Sequence, residues 1–208
     1  MVFVFPHVPK CAGTSLEKQL RASDLNVRFD YDGWVGPEAE TLNRIAAGKD
    51  FTTTDMIFGH FPIERYARWN YNYIALVRDP VERARSNYDF HRYLGVNYPE
   101  DNQLYARMGR WIDRGELSFI DYLDLGYHIR TVYRDFLGYW RKERFILVGT
   151  VENYSQFLER FSNLVDRDFT QIGEERKAEA KTVLTDEERA MARFLLKDEY
   201  EWYDQFIS

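Results

Sequence analysis

The run Lys10-Cys11-Ala12-Gly13-Thr14-Ser15 sets a cation, a glycine and two hydroxyls side by side. It follows Val2-Phe3-Val4-Phe5, a short β-branched and aromatic stretch of the kind that forms a buried strand. After it, Thr14 to Leu20 suits a helix, with Thr14 or Ser15 placed to cap the first turn. The chemistry that such a strand–turn–helix supports is anion binding. A helix start carries unpaired N–H donors and a partial positive charge. Gly13 is expected either to turn with positive φ or to let the backbone approach a ligand closely. Lys10 adds a mobile full charge. The same residues also suit an ordinary capped helix beside an exposed lysine, with Cys11 a small packed side chain. The nucleoside-triphosphatase pattern G-x-x-x-x-G-K-[ST] is absent.

Two further constellations sharpen the choice. Arg78 ends the apolar run Tyr73 to Val77, Pro80 opens a helix read to about Arg92, and Ser86 lies inside that helix. A strand-end arginine and a serine roughly two turns along the helix suit a second, separate phosphate, one giving a forked contact and the other a hydroxyl. Arg83 and Arg85 read as solvated helix-face charges. His60 closes the strand-like run Met56-Ile57-Phe58-Gly59-His60. Its ordinary pKa of about 6.5 suits a general base near neutral pH. Glu64 is the reserve candidate. His7 is expected to be structural, and His91 and His128 to pack on helices.

The elements around these residues predict how they are positioned. Phe145 to Gly149 is a fourth strand, and Asn153 to Leu164 an amphipathic helix. Residues 37–47 suit a short helix, and residues 94–102 a loop. Further helices are expected to about Lys142, one over 119–123 and another over 129–140. Residues 165–184 are polar without clear period and read as a long loop. Thr185-Asp186-Glu187-Glu188 is a strong helix start. Strands alternating with helices predict an α/β fold of three layers, a central parallel sheet flanked by helices. On such sheets ligands bind at the carboxyl ends of strands, which would gather the three constellations in one crevice. A single domain over 1–208 is expected, with a helical insertion at about 93–142 on the acceptor side.

Composition removes several alternatives. The net charge of −6 argues against a large nucleic-acid interface. One cysteine excludes an internal disulfide and a multi-cysteine metal site. The opening apolar run is too short for a membrane span and lacks a signal peptide's basic start, so a cytoplasmic protein is expected.

"HVPKCAGTS", with "IALVRDPVERARSNY" about sixty residues on, resembles the sulfotransferases dependent on 3′-phosphoadenosine-5′-phosphosulfate (PAPS), in the carbohydrate branch related to heparan sulfate 2-O-sulfotransferase. "FILVGTVENYSQFLERF" and "LLKDEYEWYDQ" are similar to later parts of that family. The resemblance implies a P-loop-type fold and PAPS as co-substrate, with 3′-phosphoadenosine-5′-phosphate (PAP) as product. It implies that the loop Lys10, Cys11, Ala12, Gly13, Thr14 and Ser15 holds the 5′-phosphosulfate. Arg78 and Ser86 would hold the 3′-phosphate. Sulfonate would pass in line to an acceptor hydroxyl, with His60 as base and Lys10 stabilising the leaving phosphate, and no metal. A saccharide acceptor is the first expectation. Arg65, Tyr66, Arg68 and Trp69 and the ring-rich span 88–142 are candidates to line its cleft. Arg176, Lys177 and Lys181 are candidates to cover the nucleotide. The missing anchor of the Golgi relatives points to a bacterial member. The rival readings are a P-loop kinase or hydrolase, which would need Mg²⁺, and a non-catalytic nucleotide-binding domain.

Overall fold

The computed structural model describes residues 1–31, 54–101, 103–170 and 181–208. Among the described residues five strands form one parallel sheet: β1 (Phe3–Pro6), β2 (Val27–Asp30), β3 (Met56–Gly59), β4 (Asn72–Val77) and β5 (Phe145–Thr150). Their order is β2-β3-β1-β4-β5. Among the described residues the helices are α1 (Gly13–Ala22), α2 (Pro80–Asn97), α3 (Leu104–Asp113), α4 (Phe119–Asp124), α5 (Tyr127–Arg130), α6 (Val132–Leu137), α7 (Tyr154–Val165), α8 (Asp186–Leu195) and α9 (Lys197–Ile207).

Alternation along the strands sorts the core into two layers. Phe3, Phe5 and Phe58 join Leu16 and Leu20 of α1 and Phe157 and Phe161 of α7 on one face. Val4, Ile57 and Ala75 join Val132 and Phe136 of α6 and Trp202 and Phe206 of α9 on the other. The chain is therefore the expected three-layer α/β fold with helices on both faces of a parallel sheet. A third cluster unites α2, α3, α4 and α8 through Val81, Tyr88, Met108, Ile112, Tyr122 and Ala192.

Several elements differ from expectation, each for a local reason. β2 is a fifth strand where the sequence shows no apolar run. It is an edge strand of four residues that pairs only with β3, so exposed Arg28 costs it little. Helix α2 runs on through Gly95 to Asn97, past the expected stop near Arg92. Gly95 does not break the helix but lets α3 approach it. A Cβ on Gly109 would fall 1.8 Å from the His91 carbonyl oxygen, and one on Gly95 would fall 2.3 Å from the Arg110 nitrogen. The helix expected over 129–140 is instead α5 and α6, divided at Thr131 (φ −132°, ψ 21°). The capping box at Thr185 and Glu188 forms as expected, and the following helix is divided at Leu196 into α8 and α9. The helix read over 37–47 lies outside the described residues, as do residues 171–180 of the polar loop; Val165 ends α7, and residues 166–170 and 181–184 carry no helix or strand.

Arg83 corrects a further expectation. It does not lie on a solvated face but is fully buried, 3.3 Å from the carboxylate of equally buried Glu199 in α9. It also donates to the Ile129 carbonyl (2.9 Å), while Glu199 accepts the Tyr133 N–H (2.8 Å). The pair ties α2, α6 and α9 together. Burial pushes the Glu199 carboxyl up to about 7, with Arg83 opposing it. The folded chain thus holds that proton where the unfolded chain has released it. This group's contribution to stability is present at low pH and falls as pH rises from about 4.5 to about 7. Urea midpoints at pH 5 and pH 7.5 should show that fall for the native chain and a flatter response for Glu199→Gln. Glu199→Ala, which strands Arg83, should cost about 3–5 kcal/mol.

Candidate active site

The strand order puts β3, β1 and β4 side by side, and the three constellations follow these three strands. The winding of the strand order reverses at β1: β2 and β3 lie to one side of it, β4 and β5 to the other. The crevice outside the strand ends at such a switch is where α/β sheets hold ligands.

The loop after β1 is held in an uncommon backbone shape. Lys10 (φ 69°) and Ala12 (φ 57°) are both left-handed without being glycine. Such residues cost about 1–2 kcal/mol each and persist where the surroundings over-determine them. Ala12 is the N-cap of α1 and supplies no side-chain cap. The first helical backbone bond runs from Leu16 N–H to Ala12 O at 3.4 Å, so the N–H groups of Gly13, Thr14 and Ser15 precede it. Thr14 and Ser15 therefore do not cap the helix; Thr14 is exposed and Ser15 half-buried. Their donors and hydroxyls, at a helix start beside Lys10, make a place suited to an anion.

Of the two expected reasons for Gly13, the structure removes the turn: the residue does not adopt positive φ. A Cβ there would fall 1.7 Å from Nε2 of His7 and 2.0 Å from its Cε1, so the imidazole occupies that space. His7 lies one residue past β1, buried, stacked on Phe58 with centroids 5.3 Å apart. Its backbone N–H donates to the Gly59 carbonyl at 2.7 Å. That pairing brings His60 alongside: its Nε2 lies 3.0 Å from Nδ1 of His7. His60 is half-buried among the rings of His7, Tyr31 and Phe136. Burial lowers its pKa to about 4, opposed weakly by Glu17. His7 is lowered well below the usual value, chiefly by burial and then by His60 and Lys10.

Arg78 meets the same loop from β4. Its Nη1 donates to the Lys10 carbonyl at 3.3 Å. The Tyr133 hydroxyl accepts the Arg78 N–H (2.9 Å) and donates to the Arg78 carbonyl, fixing that peptide from α6. Ser86 is half-buried in α2, six residues past Pro80 or about 9 Å of helix rise at ~1.5 Å per residue. The Lys10 ammonium sits over the Phe90 ring of α2, 4.2 Å from its centroid. Cys11 is buried and its thiol is pushed up to about 12, mainly by burial, which leaves it a packing group with little thiolate.

The structure thus gathers Lys10, His60 and Arg78 around one loop. It does not place Arg65 and Tyr66 in an open cleft. Both are buried and bind the Asp30 carboxylate, at 2.6 Å each. Arg68 is exposed over Trp69. Glu64 lies against Gly138. His91 is buried and packed, stacked on Tyr105, as expected; His128 is exposed on α5. Arg176 and Lys177 fall outside the described residues, and Lys181 is exposed. Among the described residues no cluster of His, Cys, Asp or Glu is placed to hold a metal ion, and no helix is long and apolar enough to cross a membrane.

Residues 1–181 match the sequence model of the sulfotransferase family. The chain belongs to that family. The match takes in the Lys10 loop, His60, Arg78 and Ser86, and it sets sulfonate transfer as the class of activity. Similar solved structures include a sulfotransferase from Alicyclobacillus acidocaldarius at 13% identity and a TM-score of 0.44, covering 96% of this chain and 95% of that one. Another is the mouse sulfotransferase SULT7A1 complexed with PAP, at 16% identity and 0.38, covering 96% of this chain and 64% of that one. No curated protein matches the sequence.

The contact of Gly13 with His7 is testable as a pair. Gly13→Ala should lower stability by about 1–3 kcal/mol, the usual cost of overpacking. Adding His7→Ala should recover part of that loss in thermal unfolding, because the two changes share one space. Additive losses would show that the ring is not what excludes the methyl.

Proposed function

We propose that the protein transfers a sulfonate group from PAPS to a hydroxyl of an acceptor, most simply a saccharide. The observation that carries this reading is the convergence of Lys10, Arg78 and His60 on one helix-start loop, in a chain of the sulfotransferase family.

In this reading the N–H groups of Gly13, Thr14 and Ser15 and the two hydroxyls cradle the 5′-phosphate, while Cys11 and Ala12 shape the turn. Arg78 and Ser86 take the 3′-phosphate. Because Arg78 is half-buried and its peptide is fixed by Tyr133, its guanidinium starts near its working place. The acceptor oxygen attacks sulfur in line, and the bond from sulfur to the bridging oxygen breaks. That electron pair stays on the 5′-phosphate. The protein's main tasks are to position both partners and to stabilise the growing charge. Lys10 meets the charge on the bridging oxygen; its flexible stem lets the ammonium leave the Phe90 ring for that position. His60 accepts the hydroxyl proton. The exposed rings of Phe90, Tyr93 and Tyr105 lie on the α2–α3 side of Lys10 and offer faces on which a sugar ring stacks.

Calorimetric titration with PAP, with ATP as control, tests the reading. PAP should bind without metal and ATP more weakly; no PAP binding, or equal ATP binding, would remove it. Arg78→Ala should weaken PAP about 10- to 100-fold, the size of a lost charge-assisted contact. Lys10→Ala and His60→Ala should leave PAP binding closer to native and cut turnover, His60→Ala by about 10²–10⁴. Since His60 is lowered to about 4, it stays neutral and able to accept a proton well below pH 6.5. The acid limb of kcat should therefore lie nearer pH 4 than pH 6.5.

A further inference from the structure

The two histidines at the ends of β1 and β3 form a pair that the transfer scheme does not by itself require. We propose that His7 is a positioning residue for His60: its Nδ1 accepts a hydrogen bond from His60 Nε2–H, which leaves the His60 Nδ1 lone pair as the atom that takes the acceptor's proton. This rests on the sulfonate-transfer reading for its role, though not for its geometry.

The argument is one of proton count. A neutral imidazole has one N–H and one lone pair. His60 Nε2 and His7 Nδ1 are 3.0 Å apart, so one donates and the other accepts. If His7 donates, His60 must carry its proton on Nδ1, and neither of its nitrogens is left to act as a base. If His60 donates from Nε2, its Nδ1 holds the lone pair. When Nδ1 gains the acceptor's proton, the imidazolium already has Nε2–H directed at a lone pair. The new charge is then stabilised with no rearrangement.

His7 suits this task because its place is fixed on every side. It is stacked on Phe58, its backbone N–H is bonded to Gly59, and its ring fills the space beside Gly13. Among the described residues its Nε2 is buried without a hydrogen-bond partner, and its Nδ1 is engaged with His60. Among the described residues the charged and titratable groups around the pair are Lys10 on the loop, Glu17 on α1 and Tyr31, whose hydroxyl donates to Glu17 at 2.5 Å. Two imidazoles in contact at this distance disfavour both being cationic, so the pair carries at most one positive charge through the catalytic range. In transfer, the acceptor O–H proton passes to His60 Nδ1, the acceptor oxygen bonds to sulfur, and the bridging S–O bond breaks toward the phosphate. His7 holds its own proton on Nε2 throughout.

Two substitutions separate positioning from filling space. The Asn amide oxygen lies close to where Nδ1 of histidine lies, so His7→Asn keeps an acceptor for His60 but leaves part of the ring's volume empty. His7→Leu fills the volume and has no acceptor. With His7 as a positioning residue, His7→Leu should lose roughly 10- to 100-fold in kcat, part of the ~10²–10⁴ that a placed base supplies. PAP binding should change little, and His7→Asn should recover most of the loss although it is the less stable variant. If Leu retains activity as well as or better than Asn, the ring only fills space and the proposal falls. Imidazole ¹⁵N spectra of the unliganded chain at neutral pH give a readout independent of activity. They should show His60 protonated on Nε2 in the native chain and in His7→Asn, and a tautomer mixture in His7→Leu. A native His60 protonated on Nδ1 would overturn the assignment. The expected spectra in a chain that transfers no sulfonate would uphold the pairing while removing the reaction reading.

Discussion

The His7 imidazole stands where a side chain on residue 13 would have to go, and much of the crevice follows from that exclusion. The parallel register of β1 and β3 sets Pro6 opposite Gly59, so the next residues, His7 and His60, emerge as neighbours. The ring of His7 then needs a glycine beside it, and the first turn of α1 must pass close over it. To bring the chain from the strand into that turn, Lys10 and Ala12 take left-handed backbone conformations. The anion-suited helix start, the cation before it and the second histidine are therefore parts of one packing arrangement. A change at Gly13 acts on all of them.

The other half of the crevice hangs on a different buried contact. Arg78 is fixed through its own peptide by the Tyr133 hydroxyl, and the Tyr133 N–H is held by Glu199, whose partner is Arg83. A buried ion pair is weak evidence of net stability, since desolvation offsets much of its attraction. Here its structural effect is placement. It joins α9 at the end of the chain to the helix carrying Ser86 and to the residue that fixes Arg78. Tyr200 of the same helix donates to Asp79, the N-cap of α2, at 2.8 Å. The C-terminal helix thus contacts the start of α2 both through Glu199 to Arg83 and through Tyr200 to Asp79.

The sequence made the periodic parts of this molecule legible and left its contacts hidden. Apolar runs marked β1, β3, β4 and β5, and proline and Thr185 marked the starts of α2 and α8. β2 escaped because an edge strand whose residues are only part-buried needs no apolar run, and the run was the signal sought. Gly95 fell within the loop expected over 94–102, because its partner, Gly109, is legible only once two helices are known to cross. Arg83 looked solvated because nothing in a helical segment reveals a carboxylate more than a hundred residues away. At the candidate site Lys10, His60 and Arg78 were named from their places after strands, and the strand order brings them together. The tie of His7 to both Gly13 and His60 was not legible. It depends on which strands are neighbours, and that appears in no one-dimensional pattern.

A base with a pKa near 4 is available at neutral pH but is intrinsically weak, and the proposed reaction has to tolerate that. A loose transfer transition state does so, because most of the charge change occurs on the departing oxygen and little nucleophile deprotonation is needed early. In the proposed reaction the demanding electrostatic task would fall to Lys10 and the helix start. The base need only accept the proton as the new O–S bond forms. Burial suits that late role: it keeps His60 neutral and ready, and in the proposed pairing His7, one residue past β1, receives the hydrogen bond that the imidazolium makes. The desolvation that weakens His60 as a free base is also what makes the orientation of its two nitrogens matter.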